Sequence, residues 1–148
     1  MTSTPIPHAS DSLEQRTAEA AIIAGVSALV GVPLAPARIP IDGARVEVDG
    51  ANPDNTVLVE AYARIGALKG AQPRKLASDA FKLAWAGQKL NATRLIIAVA
   101  GVDAENYLHR PGAWLTAAVR DAGIEVIRID LDDEMRASLV AAQSRQFR

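Results

Sequence analysis

From Ser12 onward, apolar residues return at helical spacing. Ile22, Val26, Leu29 and Val30 form one stripe, Ser12 and Gln15 make an S-x-x-Q capping box at its start, and Gly31 and Pro33 mark its end. Pro33, Pro36 and Pro40 then make the chain extended or looped up to a tight turn at Asp42-Gly43. The period changes to two where Val46 and Val48 alternate with Glu47 and Asp49, which reads as a strand with Asp49 at its end on the polar face. After the turn GANPDN, residues 56–64 form a second strand, with Val57, Val59 and Ala61 pointing one way and Leu58, Glu60, Tyr62 and Arg64 the other. A hairpin of these two strands brings Asp49 and Glu60 side by side.

The helical period returns from about Gln72 to Leu90. Leu76, Ala80, Leu83 and Ala84 form the buried stripe, Pro73 is tolerated in the first turn, and Gln72, Lys75, Asp79 and Lys82 share a separate face able to look back at the strand carboxylates. The apolar run 94–100 reads as a central strand covered on both faces. Gly101 and Asp103 open a loop, residues 114–121 form a short helix ended by Gly123, residues 124–131 another strand, and residues 133–146 a last helix. Asp130, Asp132, Asp133 and Glu134 supply a cap and favourable charge there. The order αβββαβαβα calls for a parallel crossover between helix layers. The expected fold is α/β, a single-domain three-layer sandwich with a central mixed sheet flanked by helices, formed by residues 12–148 behind a flexible tail of residues 1–11.

Composition narrows the chemistry. At 148 residues one domain suffices, and with aromatics at only 4% the core must be built from small aliphatic side chains. The absence of cysteine excludes disulfides, zinc-thiolate sites and a cysteine nucleophile. His8 falls in the tail, and His109 reads as a loop residue with no ligand partner at metal spacing. The N-terminus has no basic region followed by a long apolar run, and the apolar stretch 20–34 is broken by Gly25, Ser27, Gly31 and Pro33, so a cytoplasmic protein without a membrane partner is expected. Trp85 and Trp114 read as packing residues.

The net charge of −1 is unevenly spread. Residues 1–60 carry eight acids against Arg16, Arg38 and Arg45, whereas residues 61–100 carry Arg64, Lys69, Arg74, Lys75, Lys82, Lys89 and Arg94 against Asp79 alone. An acidic cluster beside a basic segment suits a metal ion beside a phosphate backbone, with Arg74 and Lys82 as nucleic-acid contacts, and it equally suits a solvated helix face. Glu60 lies among Val57, Leu58, Val59 and Ala61, where a carboxylate must have a partner. Two carboxylates on adjacent strands can hold magnesium or manganese, which activates a water and stabilises charge on a phosphodiester. Glu14 and Glu19, early in the first helix, also suit its positive N-terminal end.

These segments resemble the PD-(D/E)XK superfamily, in its restriction-endonuclease-like and Holliday-junction-resolvase-like members. VEVDG, LVEAYAR and LKGAQPRK resemble a group of small bacterial proteins with an E-x-Y form of the motif. The resemblance implies a metal-dependent nuclease acting on DNA or RNA. It maps Glu14 to the helical acid, Asp49 to the strand-end aspartate and Glu60 to the motif acid, with Gln72 and Lys75 on the following helix. Tyr62 stands where the motif has lysine and is neutral at physiological pH, so the charge falls to Lys75, Lys69 or Arg64. Asp54, in the turn, is the runner-up to Asp49. Cutting two strands with so small a chain calls for a homodimer. The alternative is a catalytically inactive binding or scaffold protein of the same fold, with Glu60 paired to Arg64, Lys75 or Arg45.

Overall fold

The computed structural model describes residues 9–146, with side chains from Leu13 onward. The elements in order are α1 (Ala9–Val30), β1 (Ala35–Ile41), β2 (Ala44–Ala51), β3 (Val57–Tyr62), α2 (Gln72–Leu90), β4 (Arg94–Val99), α3 (Val102–His109), α4 (Trp114–Asp121), β5 (Ile124–Arg128) and α5 (Asp133–Gln146). One five-stranded mixed sheet has the order β1-β2-β3-β4-β5. The fold is the expected α/β sandwich, with helices on both faces.

Two details differ from the expectation. α1 starts at Ala9, so Ser12 lies inside the helix rather than at its cap, and most of the expected tail, His8 included, lies outside the described residues. Residues 102–109 form a helix instead of a loop, with Ala104 and Leu108 as its buried side, and His109 sits in its last turn with Nδ1 2.9 Å from the Glu105 carbonyl oxygen. Two apolar residues four apart are too short a period to distinguish a helical turn from a loop.

The first two strands form a hairpin because Asp42 and Gly43 both take positive φ, 50° and 84°, the backbone that a two-residue turn between twisted strands requires. Pro36 and Pro40 are accommodated because β1 is an edge strand, where a missing N–H leaves no ladder bond unmade. β3 and β4 are parallel and buried along nearly their whole length. The alternation along β3 sorts its side chains as expected: Leu58 and Tyr62 join the core beneath α2, α3 and α4, while Val57, Val59, Ala61 and Ala63 join the core beneath α1 and α5. Both parallel connections, β3–α2–β4 and β4–α3–α4–β5, cross the same face, as right-handed crossovers in this strand order must. Helix α2 lies very close to the sheet at Gly87, where a Cβ would fall 2.6 Å from Leu95 Cδ2. No helix among the described residues is long and apolar enough to cross a membrane.

Candidate active site at a strand fork

The β2–β3 ladder pairs only Gly50 with Val59 and Ala51 with Leu58. Beyond that point β3 continues along β4 and β2 continues along β1, so the two strands part at Asp49 and Glu60. A split sheet orphans backbone donors that must find other acceptors. Here the two acids provide them: the Asp49 N–H donates to Glu60 Oε2 at 3.0 Å, and the Ala61 N–H donates to Asp49 Oδ2 at 2.8 Å. Lys82 reaches in from α2 and donates from Nζ to Glu60 Oε1 at 2.7 Å and to the Glu47 carbonyl oxygen at 2.8 Å. The strand register and the facing helix thus fix Glu60, which is only 2% exposed, through both of its oxygens.

The fork carries an excess of negative charge. Burial and the neighbouring Asp49 push the Glu60 carboxyl up from 4.5 to about 7, with Asp79 adding to the rise and the Lys82 hydrogen bond opposing it. Glu19 on α1 is also raised, by burial and by Asp49, against the Gln15 hydrogen bond and the charges of Lys75 and Arg16. Buried Asp79 accepts from Lys75 Nζ at 3.0 Å. Burial lowers the Lys75 ammonium, but Asp79, Glu60 and Asp49 together hold it above its usual range. Four carboxylates, Glu19, Asp49, Glu60 and Asp79, therefore share the field of Lys75 and Lys82.

Two hollows meet at Glu19. One of about 410 Å³ runs between α1 and the first hairpin, with Arg16, Glu19 and Asp49 on its polar side and Ile23, Leu34 and Pro36 among its apolar walls. The other, of about 240 Å³, is lined by Gln15, Glu19, Tyr62, Arg64, Gln72 and Lys75. Asp49 lines the first hollow, Lys75 lines the second, and Glu60 lines neither.

The residues singled out in the sequence divide into those the fold brings together and those it does not. Asp49 and Glu60 meet at the fork, and Lys75 feels both charges from the second hollow, which neither acid lines. Glu14 turns away, its Oε1 accepting from Arg145 of α5 at 2.6 Å, and Glu19 is the α1 acid that faces Asp49. Residues five apart on a helix point in different directions, and which of the two acids meets the sheet depends on how α1 packs across it, which local sequence does not encode. Tyr62 is buried at the mouth of the second hollow, and burial raises its phenol, with Arg64 opposing. Arg64 donates to Gln146 Oε1 at 3.1 Å, and Gln72 Oε1 accepts the backbone N–H of Lys69 at 2.8 Å. Lys69 lines a small adjoining hollow with Ile65, Gly66 and Gln143, which shares Arg64 and Gln72 with the second one. Arg74 is exposed, whereas Lys82, expected on the nucleic-acid surface, points inward to Glu60. Lys82 thus fills the place proposed for Arg64, Lys75 or Arg45 as the partner of Glu60. Its position ten residues into α2, on the face shared with Lys75 and Asp79, was the signal that could have found it.

Asp54 belongs to the turn, where its Oδ1 accepts from Asn52 Nδ2 and Thr56 Oγ1 at 2.8 Å each, and it takes no part in the fork. Both tryptophans sit at helix surfaces as expected, but Trp114, 74% exposed, packs far less than Trp85, which is 37% exposed. Asp132 does cap α5, accepting from the Met135 N–H at 2.8 Å.

Among the described residues no group of three or more His, Asp or Glu side chains is arranged to hold a metal ion. At the fork, Asp49 Oδ1 makes no hydrogen bond among the described residues. Comparison with family models, with characterised proteins and with solved structures finds no match to this chain.

Proposed function

We propose that the chain is a metal-dependent nuclease that hydrolyses phosphodiester bonds in DNA or RNA, with Asp49 and Glu60 as the residues that hold magnesium or manganese. The observation that carries this reading is the excess of carboxylate charge at the fork beside Lys75, with Glu60 held near 7 by burial and by Asp49. Carboxylates that repel one another in a half-buried site suit a small divalent cation, which favours oxygen ligands and lowers the pKa of a bound water. Glu19 adds a third carboxylate at the outer edge. Lys75, with its side chain 58% exposed, is placed to face a phosphate while still feeling Asp49 and Glu60. A cytoplasmic setting and a nucleic-acid partner belong to the same reading.

Glu60 Oε1 is held by Lys82, so a cation that uses this oxygen must displace the ammonium. The same contact favours a second reading, a binding or scaffold protein in which Asp49, Glu60 and Lys82 only close the split between strands. The two readings part on one experiment. Purified protein is incubated with single-stranded, duplex and branched DNA and with RNA, in magnesium or manganese, beside Asp49→Asn and Glu60→Gln. The nuclease reading expects cutting by the wild type and its loss in both variants. Cutting that survives both substitutions rules out this site, and absence of cutting together with no calorimetric metal uptake favours the scaffold.

A further inference from the structure

The second hollow contains a polar group that the fork does not use. Tyr62 is only 4% exposed, yet its phenol hydroxyl makes no hydrogen bond among the described residues. A hydroxyl sealed in a core without a partner is costly. That of Tyr62 is not sealed, because among the described residues Thr116 Oγ1 is the one side-chain nitrogen or oxygen that is both fully enclosed and unbonded. The little surface that Tyr62 keeps lies on the hollow it lines, so its hydroxyl opens there, within the field of Arg64.

Other donors surround that hydroxyl. Gln72 uses its Oε1 to accept the Lys69 N–H, which leaves its Nε2 without an acceptor among the described residues. Lys75 Nζ spends two of its three protons on Asp79, and its side chain is 58% exposed. Arg64 brings a second cation to the lining, with Nη1 bonded to Gln146 Oε1. Helix α2 begins at the same place with no side-chain cap on Ala71, so the positive end of a 19-residue helix adds to these charges. Against them stands one acid, Glu19, which is hydrogen-bonded to Gln15 and is pushed towards its neutral form by burial and by Asp49.

Two cations, a phenol and an amide beside a single carboxylate select an oxyanion over a metal ion or an amine. The number and direction of the donors then choose between oxyanions. A carboxylate offers two oxygens in one plane. A phosphomonoester offers three on a tetrahedral face, with close to two charges, and suits donors that arrive from the end of β3 and from the first turn of α2. A volume of about 240 Å³ holds a phosphate and the carbons next to it, and is too small for a continuous strand.

We propose that the second hollow binds a phosphomonoester, with the phosphate held by Tyr62, Arg64, Gln72 and Lys75. A small sugar phosphate and the phosphorylated end of a nucleic-acid strand share this group. The site does not rest on the nuclease reading, since all of its donors belong to the chain and no metal is needed to fill it.

Calorimetry of the full chain in EDTA, where metal-dependent cutting cannot follow, tests the site with ribose 5-phosphate and with one oligonucleotide carrying either a 5′-phosphate or a 5′-hydroxyl. Both phosphate esters are expected to bind. Tyr62→Phe removes one oxygen and keeps the ring in the core, and is expected to weaken binding about tenfold, the loss of one hydrogen bond to a charged group, with circular dichroism unchanged. Arg64→Gln is expected to weaken it further, and carries the test if Tyr62→Phe does not fold. Tighter binding of the phosphorylated oligonucleotide than of ribose 5-phosphate assigns the site to strand ends, and the reverse order assigns it to a small ester. The proposal is overturned if neither ester binds, or if the folded variants bind as wild type does. It is also overturned if the 5′-hydroxyl oligonucleotide binds as tightly as its phosphorylated counterpart, which would make the hollow a contact for backbone diesters. Its failure leaves the nuclease reading standing, because that reading is tested by cutting in magnesium or manganese.

Discussion

Asp49 and Glu60 each accept the backbone N–H that the other strand presents at the split between β2 and β3: Glu60 Oε2 takes that of Asp49, and Asp49 Oδ2 takes that of Ala61. The two acids are therefore structural before they are anything else. Asn at position 49 keeps the acceptor for the Ala61 N–H, whereas Gln at position 60 keeps only one of the two acceptors that the Asp49 N–H and Lys82 use, and Ala at either position opens the fork. For this reason Asp49→Asn separates chemistry from folding, and Glu60→Gln is read beside its own unfolding curve.

Glu60 sets a pH dependence whose sign follows from its environment. Its carboxyl is at about 7 in the folded protein against an ordinary 4.5, so between these values the folded state holds a proton that the unfolded chain has lost. Stability therefore falls as pH rises through this window, is unaffected by Glu60 below it, and bears the full cost above it, on the order of 3 kcal/mol. Urea unfolding of Glu60→Gln between pH 4.5 and 8 is expected to show a flatter profile than wild type. An unchanged slope would assign the dependence to other groups.

Lys82 answers that charge from α2, and removing it exposes the cost. Lys82→Met leaves a buried carboxylate without its ammonium and the Glu47 carbonyl oxygen without its donor, a loss of about 3–5 kcal/mol for a broken buried pair. The loss is expected to be large at pH 8 and smaller at pH 5, where Glu60 takes up a proton. Combining Lys82→Met with Glu60→Gln should recover part of the stability lost at pH 8. Strict additivity of the two changes would show that they do not interact.

Much of this was legible in the chain. Alternation in residues 57–64 sorts β3 between the two cores, and Asp42-Gly43 specifies the hairpin, because both are local rules of strand geometry and turn backbone. The convergence of Asp49 with Glu60 follows from the same hairpin logic. What local rules do not carry is the third dimension. Glu19 rather than Glu14 faces Asp49 because of the way α1 lies across the sheet, and Lys82 rather than Lys75 holds Glu60 because of where α2 crosses the fork. The exposure of Phe81 and Trp114 was equally out of reach, since an aromatic residue in a helical pattern looks the same whether the next layer covers it or not.

Asn52 holds the turn that joins β2 to β3. Its Oδ1 accepts from the Thr56 and Val57 N–H groups at 2.9 Å each, and its Nδ2 donates to Asp54 and to Thr56 Oγ1, tying together a turn in which Asn55 has a φ of 59°. Asn52→Ala leaves both backbone donors without this acceptor and is expected to cost about 2 kcal/mol in chemical denaturation. Asn52→Asp keeps the acceptor and should recover part of that loss, though it places a second carboxylate beside Asp54. If Ala and Asp are equally destabilising, the acceptor role of Asn52 is not what holds the turn.

In the nuclease reading, Lys75 and Lys69 are the two candidates for the charge that Tyr62 cannot supply, and their surroundings differ. Lys75 shares a hollow with Glu19 and feels Asp49 and Glu60, while Lys69 lines an adjoining hollow that has Arg64 and Gln72 in common with it but no acid. A group that stabilises charge on a phosphate without holding the metal should, when removed, lower kcat while leaving metal affinity intact. Lys75→Ala is therefore expected to cut at least about a hundredfold more slowly than wild type, with manganese uptake by calorimetry little changed. Lys69→Ala is expected to retain cutting. Because Lys75 also pairs with buried Asp79, the Lys75→Ala, Asp79→Asn double variant controls for the unpaired carboxylate. If that double variant cuts at the wild-type rate, Lys75 serves only to neutralise Asp79.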